Sequence, residues 1–303
     1  MQRRTVLKGF GLTATAAIVT TPAFAQGAGG AATAPPSSSP WPSPQPATGS
    51  QLGHCRIGNG PAVCVVLHEW LGDHVNWEPV LPYLDPARYT FVFMDLRGYG
   101  WSRAMGGSYT LDEAVSDVLH TVDQLAITRF HLVGHSMSGL VAQKIALEAG
   151  SRLQSVTLFS PVPPSGFRAD EAAMKALNAV IDEDEAAGRA ITARTSSRYG
   201  AGWLRRKLAI AREASTVEAK RGYLTMFTSS VISGETHALA APMHVVTGAL
   251  DIPFYRGEPL RNSFALAYPG VTFEIIDDAG HYSMLETPVR VASIIEKRLA
   301  GAG

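Results

Sequence analysis

The sequence predicts an α/β protein in which a mainly parallel sheet carries helices on both faces. Short runs of β-branched and apolar residues alternate with helical stretches, which is the pattern of strands that are buried on both sides. The chain has 303 residues and is 46% hydrophobic, which is typical of one globular domain with extensions. The repeated order of strand, helix and strand predicts right-handed crossovers and a functional site at the carboxyl ends of the strands.

Residues 1–25 are predicted to be an export signal. Arg3 and Arg4 lie near the start, an apolar stretch rich in Ala and Thr follows, and Ala23-Phe24-Ala25 matches an A-x-A cleavage site. The segment resembles a twin-arginine signal peptide, which implies that the Tat export machinery is a partner of the precursor. The apolar stretch is too short and too interrupted to span a bilayer, so no stable membrane insertion is expected. We therefore expect a periplasmic or secreted protein that is cleaved near Ala25.

The rest of the chain divides into a linker, a core and an inserted segment. Residues 26–50 are rich in Pro, Ser and Gly, so they predict a linker, and the folded part is expected to begin near Gln51. The α/β core is predicted over 51–161 and 242–303. The segment 162–241 shows helical periodicity and no motif, so it predicts a helical insertion.

Six strands and three helices are predicted within the core. The strands are expected at 62–67, 90–95, 130–134, 155–160, 243–248 and 271–276, and the helices at 111–126, at 137–148 and after Pro288. Thr110 is followed three residues later by Glu113, a capping box that predicts the start of the first helix.

Charge and cysteine content exclude several classes of partner. Lys and Arg total 26, as do Asp and Glu, and three cations but no acid lie in residues 1–25, so the remainder is slightly acidic. Such a chain offers no electrostatic footprint for nucleic acid. Cys55 and Cys64 are too few for a disulfide framework, and neither they nor the nine histidines have the spacing of a metal site. We expect a small-molecule substrate, no metal and no cofactor.

The most informative segment is Gly134-His135-Ser136-Met137-Ser138, which follows an apolar run. A strand ends at Gly134, a serine occupies the turn, and a helix begins at once. This is nearly the nucleophile elbow G-x-S-x-G, which raises a serine hydroxyl above the sheet and directs backbone N–H groups at a developing oxyanion. Ser138 stands where glycine is usual, and serine is small enough to fit there. Ser136 is the predicted nucleophile.

With this elbow, residues 51–300 resemble the α/β-hydrolase fold family. Four further motifs occur in the family's order: Leu67-His68-Glu69-Trp70, Asp95-Leu96-Arg97-Gly98-Tyr99-Gly100-Trp101-Ser102, Val246-Thr247-Gly248-Ala249-Leu250-Asp251 and Ala279-Gly280-His281. The resemblance implies that Asp251 is the triad acid and His281 the triad base. It also implies that the backbone N–H groups of Trp70 and Met137 form the oxyanion hole.

Two further expectations follow from the resemblance. The insertion at 162–241 is expected to be a lid, with pocket candidates Tyr199, Trp203, Leu204, Tyr223, Met226 and Phe227. The family's strand order places another strand between Cys55 and Cys64, so both are expected to be free thiols.

The chemistry itself requires the same three residue types. A serine hydroxyl is a weak nucleophile at neutral pH, so an imidazole must take its proton and a carboxylate must hold that imidazole in the right tautomer. Ser136, Asp251 and His281 follow the chain order of this fold. Asp277 and Asp278 are weaker candidates for the acid because they directly precede His281.

The expected activity is that of a monomer-like serine hydrolase, which cleaves a small or medium apolar ester or lactone through an acyl-enzyme. An aspartate at position 136 would have indicated dehalogenase or epoxide-hydrolase chemistry. The same triad would also serve a C–C bond hydrolase of the β-diketone type or a perhydrolase, and the same fold would serve a non-enzymatic ligand-binding protein. These alternatives stay open.

Glu69 stands where the family usually has glycine, beside the backbone expected to bind the oxyanion. A free carboxylate there would oppose the reaction, so it must be paired, turned away or protonated. Arg97 on the neighbouring loop is the predicted partner, and Glu69 is expected to order the oxyanion loop rather than to transfer protons. The His-Glu-Trp turn also resembles that of dienelactone hydrolases, which use a cysteine nucleophile.

Overall fold

A computed structural model describes residues 39–232, 236 and 239–301 of the chain. The predicted signal peptide at 1–25 and the first part of the predicted linker lie outside the described residues. Within these residues, no helix is both long and apolar enough to cross a membrane.

One eight-stranded sheet forms the centre of the fold. Its strands are β1 (Pro44–Gln45), β2 (His54–Ile57), β3 (Ala62–Leu67), β4 (Tyr89–Met94), β5 (Phe130–His135), β6 (Leu153–Phe159), β7 (Met243–Gly248) and β8 (Thr272–Ile276). Their order in the sheet is β1-β2-β4-β3-β5-β6-β7-β8. The β1–β2 and β2–β4 pairs are antiparallel, and all other neighbouring strands pair parallel. Every residue of β4, β5 and β7 is buried, which explains their continuous apolar runs. The predicted α/β fold class is confirmed.

The α-helices in the described ranges are α1 (Leu111–Gln124), α2 (Met137–Glu148), α3 (Glu171–Asp182), α4 (Asp184–Ala193), α5 (Ala201–Glu213), α6 (Val217–Ser229), α7 (Gly257–Ala267), α8 (Ser283–Glu286) and α9 (Pro288–Ala300). The predicted start of α1 is confirmed, since Thr110 Oγ1 accepts from the N–H of Glu113 at 3.2 Å. The carboxylate of Glu113 reaches back to the N–H of Tyr109 at 2.6 Å, so the cap is closed from both sides.

The sheet begins before Gln51, the residue near which the folded part was predicted to start, because β1 already lies at Pro44–Gln45. Trp41 is 4% exposed and packs its ring edge to face against His74, Phe93 and Trp101. Its indole N–H donates to Glu78 Oε1 at 3.0 Å. A buried aromatic ring with a satisfied polar end anchors this part of the chain, so β1 can add to the edge of the sheet.

Both cysteines are buried and free, as the strand order requires. Cys55 lies on β2 and Cys64 on β3, and β4 runs between these strands. Burial raises the pKa of both thiols, because an apolar environment penalises the thiolate.

Four helices, α3 to α6, lie between β6 and β7 in the chain, and they are called the helical insertion below. Helix α6 buries Tyr223, Leu224, Met226 and Phe227, and α5 buries Lys207. The helical insertion therefore shares the core of the domain.

Candidate active site

Ser136 lies on a strained turn at the carboxyl end of β5. Its φ and ψ are 55° and −112°, a left-handed conformation that costs a non-glycine residue energy. A Cβ at Gly134 would lie 2.8 Å from the carbonyl oxygen of Ser138, so the glycine permits the strand and helix to approach. The N–H of Ser136 donates to the carbonyl of Phe159 on β6 at 2.9 Å. This turn holds the hydroxyl at the edge of the sheet.

Ser138, the departure from the usual glycine, is part of the turn. Its hydroxyl accepts from the N–H of His135 at 3.0 Å and donates to the carbonyl of His135 at 3.1 Å. The following Gly139 packs closely on Pro161, since a Cβ would lie 2.6 Å from the proline ring. The small residue that this close packing requires is therefore Gly139, one position after Ser138.

The structure brings Ser136, His281 and Asp251 together. His281 Nε2 lies 3.0 Å from Ser136 Oγ, and His281 Nδ1 lies 2.7 Å from Asp251 Oδ2. The three residues are 4%, 1% and 2% exposed. The rival acids Asp277 and Asp278 are exposed. Asp251 also accepts from the N–H of Ile252 at 2.7 Å, which orients its carboxylate.

The loop that carries His281 is held by a second carboxylate, Glu286. Glu286 Oε2 accepts from the N–H of Gly280 at 2.8 Å and Oε1 accepts from the N–H of Tyr282 at 2.9 Å. Burial raises the pKa of Glu286, although these N–H donors and Arg198 oppose the shift. The peptide groups on both sides of His281 are therefore attached to one side chain.

The helical insertion touches both loops through the segment after α4. The N–H of His281 donates to the carbonyl of Arg194 at 2.9 Å, and Ser196 Oγ donates to the carbonyl of Leu250 at 2.7 Å. Arg198 bonds Glu286 and, at 2.8 Å, the carbonyl of Asp278. The relative position of the Asp251 and His281 loops thus depends on the helical insertion.

Trp70 and Met137, whose backbone N–H groups are predicted to form the oxyanion hole, lie at the same pocket as Ser136. Both residues line it, and within the described part of the chain neither N–H has an acceptor. The peptide of Trp70 is fixed by its neighbours, because Tyr99 donates its hydroxyl to the Trp70 carbonyl at 2.8 Å. His68 Nδ1 likewise bonds the Glu69 carbonyl at 2.8 Å. The two N–H groups are available to an anionic oxygen.

Glu69 is buried and paired, but not with the predicted residue. Its Oε1 lies 2.8 Å from Lys207 Nζ and accepts from Asn76 Nδ2 at 3.1 Å, while Oε2 accepts from the N–H of Leu71 at 2.6 Å. Burial works to raise the pKa of Glu69, but the charge of Lys207 lowers that pKa to about 2. Glu69 is therefore an ionised residue that orders its own loop.

The predicted pair of Glu69 with Arg97 does not form. Arg97 Nε and one terminal nitrogen bond the carboxylate of Asp117 on α1 at 2.9 and 2.6 Å. Arg97 also donates to the carbonyl of Gly106 at 2.7 Å. A bidentate carboxylate on the adjacent helix satisfies the guanidinium better than a residue across the loop.

His135 does not compete with His281 as a base. Burial and the neighbouring His281 lower the pKa of His135 to about 3, so its ring is neutral. Its Nε2 lies 2.8 Å from the carbonyl oxygen of His281 and donates to it. His135 thus supports the backbone of the histidine loop.

Ser136 lines a narrow pocket, in which the space open to a water-sized molecule is about 10 Å³, or room for about one water. Its walls include the apolar residues Leu71, Val162, Phe167, Leu177 and Phe227 and the polar residues Arg194 and Tyr255. Of the aromatic and aliphatic candidates named from the helical insertion, Phe227 lines this pocket. Tyr199 and Trp203 instead stack on each other at 4.6 Å, and Tyr223 packs against Tyr99 and Tyr109.

Sequence reasoning missed Tyr255, Arg194, Lys207 and Glu286. Tyr255 is 3% exposed, and its ring centre lies 4.4 Å from that of His281. Burial raises the pKa of Tyr255, with Arg194 and Ser136 opposing. Tyr255 lies a few residues after Asp251, and Glu286 lies a few residues after His281. This closeness in the chain is the one sequence signal that could have indicated them. Among the described residues, no three His, Cys, Asp or Glu side chains are grouped so that they could hold a metal ion.

Residues 63–288 match the family model described as alpha/beta hydrolase fold, and the strand order and serine turn are those just described. The chain belongs to the α/β-hydrolase fold family.

Relatives of this α/β-hydrolase include proteins named for several reactions. The chain is 28% identical over 278 residues to the dihydrolipoyllysine-residue acetyltransferase component of the acetoin cleaving system from Cupriavidus necator, an alignment that covers 84% of this chain and 67% of that protein. It is 36% identical over 90 residues to a pimeloyl-[acyl-carrier protein] methyl ester esterase from Legionella pneumophila, which covers 30% of this chain and 34% of that protein. A fluoroacetate dehalogenase from Burkholderia sp is 33% identical over 115 residues, or 36% of this chain and 38% of that protein. With these latter two the chain aligns over little more than a third of their lengths. Hydrolases predominate among these names, so the chain is a member of an enzyme family of hydrolases.

Solved structures show the same fold. The bromoperoxidase from Bacillus anthracis superposes with a TM-score of 0.71 at 20% identity, over 82% of this chain and 95% of that one. The enol-lactonase from Burkholderia xenovorans LB400 has a TM-score of 0.69 at 23% identity, over 82% of this chain and 96% of that one.

Proposed function

We propose that this protein is a serine hydrolase that cleaves a small carboxylic ester or lactone through Ser136, His281 and Asp251. One observation carries the proposal: the three side chains form a continuous hydrogen-bonded line, with contacts of 3.0 and 2.7 Å, at the base of a pocket. The side chains proposed as nucleophile, base and orienting acid are therefore within hydrogen-bonding distance of one another in that order.

The hydrogen bonds determine which nitrogen acts as the base. The carboxylate of Asp251 can only accept, so His281 Nδ1 carries the proton and Nε2 presents its lone pair to Ser136 Oγ. Ser136 attacks the carbonyl carbon as Nε2 takes the hydroxyl proton. The N–H groups of Trp70 and Met137 bind the resulting oxyanion.

Collapse of this intermediate completes the first half of the reaction. His281 returns the proton to the leaving alkoxide, and an acyl-enzyme remains on Ser136. Water then attacks the acyl carbonyl with His281 again as the base, which releases the acid and restores the serine hydroxyl.

The same site argues against dehalogenase and epoxide-hydrolase chemistry. Those reactions pass through an alkyl ester of a carboxylate nucleophile, which water can hydrolyse at its carbonyl. Ser136 would form an alkyl ether, which has no carbonyl for water to attack. We therefore propose acyl transfer as the chemistry of this chain.

The helical insertion is proposed to act as a lid. Leu177 of α3, Phe227 of α6 and Arg194 after α4 all line the pocket. The pocket between them is narrow, which favours a short acyl group. We also propose that the protein is exported to the periplasm or medium and is cleaved near Ala25. The twin-arginine-like segment at 1–25 supports this export.

The test is a panel of p-nitrophenyl esters of increasing chain length, together with lactones and β-diketones, assayed on wild-type protein and on Ser136→Ala. Ser293 is exposed on α9, so Ser293→Ala is the matched control. We expect short esters or lactones to be turned over, Ser136→Ala to lose roughly 10³-fold or more in kcat, and Ser293→Ala to keep its activity.

A fluorophosphonate probe provides a second readout. It should label wild-type protein at Ser136 and leave Ser136→Ala unlabelled. If the protein turned over β-diketones but no ester or lactone, its activity would be C–C bond hydrolysis and not ester hydrolysis. Absence of both turnover and labelling would refute the proposed enzyme and favour a ligand-binding protein.

A further inference from the structure

Arg194 is a cation in the wall of the Ser136 pocket with unused hydrogen-bonding capacity. It follows α4 directly, is half-buried, and donates from one terminal nitrogen to the carbonyl of Ala190 at 3.1 Å. A guanidinium has five N–H donors. Within the described residues no carboxylate lies within 4.0 Å of it, and that bond to Ala190 is the one its side chain makes.

Other half-buried arginines of the described chain behave differently. Arg97 pairs with Asp117, Arg152 with Asp123, and Arg212 with Asp184. A partly desolvated guanidinium is usually satisfied by such a carboxylate, because its planar fork matches the two oxygens. Arg194 departs from that pattern at the position where a substrate would lie.

Against the effect of burial, Asp251 and Glu69 help to raise the pKa of Arg194, and both carboxylates are already engaged. Asp251 accepts from His281 and Ile252. Glu69 accepts from Lys207, Asn76 and Leu71. Neither carboxylate is free to neutralise Arg194 by contact.

The structural role of this residue is supplied by its backbone. The Arg194 carbonyl accepts from the N–H of His281 at 2.9 Å, a bond that any residue at this position can make. The side chain is therefore not needed for that contact.

We propose that the Arg194 guanidinium binds a carboxylate carried by the substrate, so that the preferred substrates are esters or lactones with a second, anionic group. This inference rests on the proposed function of Ser136. Glu69 also lines the pocket, but its charge is already matched by Lys207. The apolar part of the wall includes Phe167, Leu177 and Phe227, which suits a short hydrocarbon chain between the two groups.

The experiment compares esters that differ in charge and little else. One pair places the charge on the acyl side: mono-4-nitrophenyl glutarate against 4-nitrophenyl valerate. The other places it on the alcohol side: the acetate ester of 4-hydroxybutyrate against butyl acetate. The readout is the ratio of kcat/KM for the charged ester to that for the neutral ester, measured for wild type, Arg194→Gln and Arg194→Lys.

Arg189 provides the matched control. It lies on α4, is exposed, and pairs with Glu185 one turn away, so Arg189→Gln removes the same charge from the same helix outside the pocket. We expect wild type to prefer the charged member of at least one pair by about tenfold or more. Arg194→Gln should lower that ratio by about 10- to 100-fold, mainly through KM. Arg194→Lys should recover part of it, because the charge remains but the fork is lost. Arg189→Gln should leave the ratio unchanged.

Failure of this inference differs from failure of the proposed function. If wild type hydrolyses the neutral esters and shows no charge preference in either pair, the subsite is wrong and the hydrolase stands. If Arg194→Gln lost kcat/KM equally on charged and neutral esters, the role of the side chain would be structural, and the carboxylate subsite would also be refuted.

A binding measurement tests the subsite without turnover. Glutarate should raise the melting temperature of the Ser136→Ala protein, and the neutral glutaramide should not. The shift should disappear when Arg194→Gln is added, and should persist with Arg189→Gln. No stabilisation by glutarate, or equal stabilisation by both compounds, would refute the inference even if no ester is hydrolysed.

Discussion

Lys207→Met tests whether the buried pair with Glu69 holds the loop after β3 together. Both side chains are almost fully buried, at 1% and 2% exposure for the whole residues, and the pair joins the helical insertion to the loop after β3. Lys207 also donates to the carbonyl of Leu71 at 2.6 Å and lies 4.5 Å from the ring centre of Tyr282. Methionine keeps the length of the side chain and removes the charge.

The structure gives the size of the effect in two ways. Two unit charges 2.8 Å apart attract by roughly 6 kcal/mol at an effective dielectric constant of about 20, before the cost of burial is counted. The drop in the pKa of Glu69 from 4.5 to about 2 corresponds to about 3 kcal/mol. Burial lowers the pKa of Lys207, so the cost of burying its ammonium group offsets part of this stabilisation. We expect Lys207→Met to lower the free energy of unfolding by about 3–5 kcal/mol, because it leaves a buried carboxylate without its cation.

The loss should depend on pH in a defined direction. In wild type the folded-state pKa of Glu69 lies below its unfolded value, so its stabilisation is present above about pH 4.5 and is lost as the pH falls toward 2. Without Lys207, burial dominates and raises the pKa of Glu69. The variant's deficit should therefore be largest at neutral pH and should shrink on acidification, as the buried carboxylate takes up a proton.

The assay is urea unfolding at pH 7.5 and pH 5 for wild type, Lys207→Met, Glu69→Gln and the double variant. Lys144→Met is the control, since Lys144 forms a surface pair with Glu148 and should cost less than about 1 kcal/mol. The double variant should be more stable than the sum of the single losses predicts. A loss below about 1 kcal/mol in Lys207→Met, or strictly additive losses, would refute this account of the pair.

Three further predictions concern the reaction and export. Ser136→Ala and His281→Ala should each lower kcat by roughly 10³-fold or more, and the double variant should lose little beyond either, because the two act as one unit; additive losses in steady-state assays would contradict this. Glu286→Gln offers one good acceptor in place of two, so kcat should fall by about tenfold through misplacement of His281; an unchanged kcat and pH profile would make this carboxylate irrelevant to the site. Replacing Arg3 and Arg4 by lysines should leave an uncleaved precursor in the cytoplasm, visible by immunoblot of cell fractions; an unchanged periplasmic yield would disprove twin-arginine export.

Local patterns in the chain predicted most of the fold. The strand predicted at 243–248 is β7, and the predicted helix at 137–148 is α2, with the same bounds. Strand periodicity and helix caps depend on residues within about four positions of each other, so one sequence contains them. The serine turn is equally local, because the glycine and small residues that permit it lie beside Ser136.

The partners of the site residues depended on contacts between distant segments. Glu69 and Lys207 are 138 residues apart, and a local pattern favoured Arg97, which the adjacent helix had already satisfied through Asp117. The order of Ser136, Asp251 and His281 came from motifs, whereas their contacts of 3.0 and 2.7 Å come from the sheet and from the loops that the helical insertion ties together.

Arg194 shows the physical reason most clearly. In the sequence it is one cation near the end of a helix, indistinguishable from Arg189 five residues earlier. Only packing of the helical insertion over the sheet decides that one side chain pairs with Glu185 at the surface while the other lines the pocket beside Ser136. Sequence determined which elements form and where the serine turn lies. The tertiary structure decided which charges meet, because a charge finds its partner through space, and no short-range periodicity records that distance.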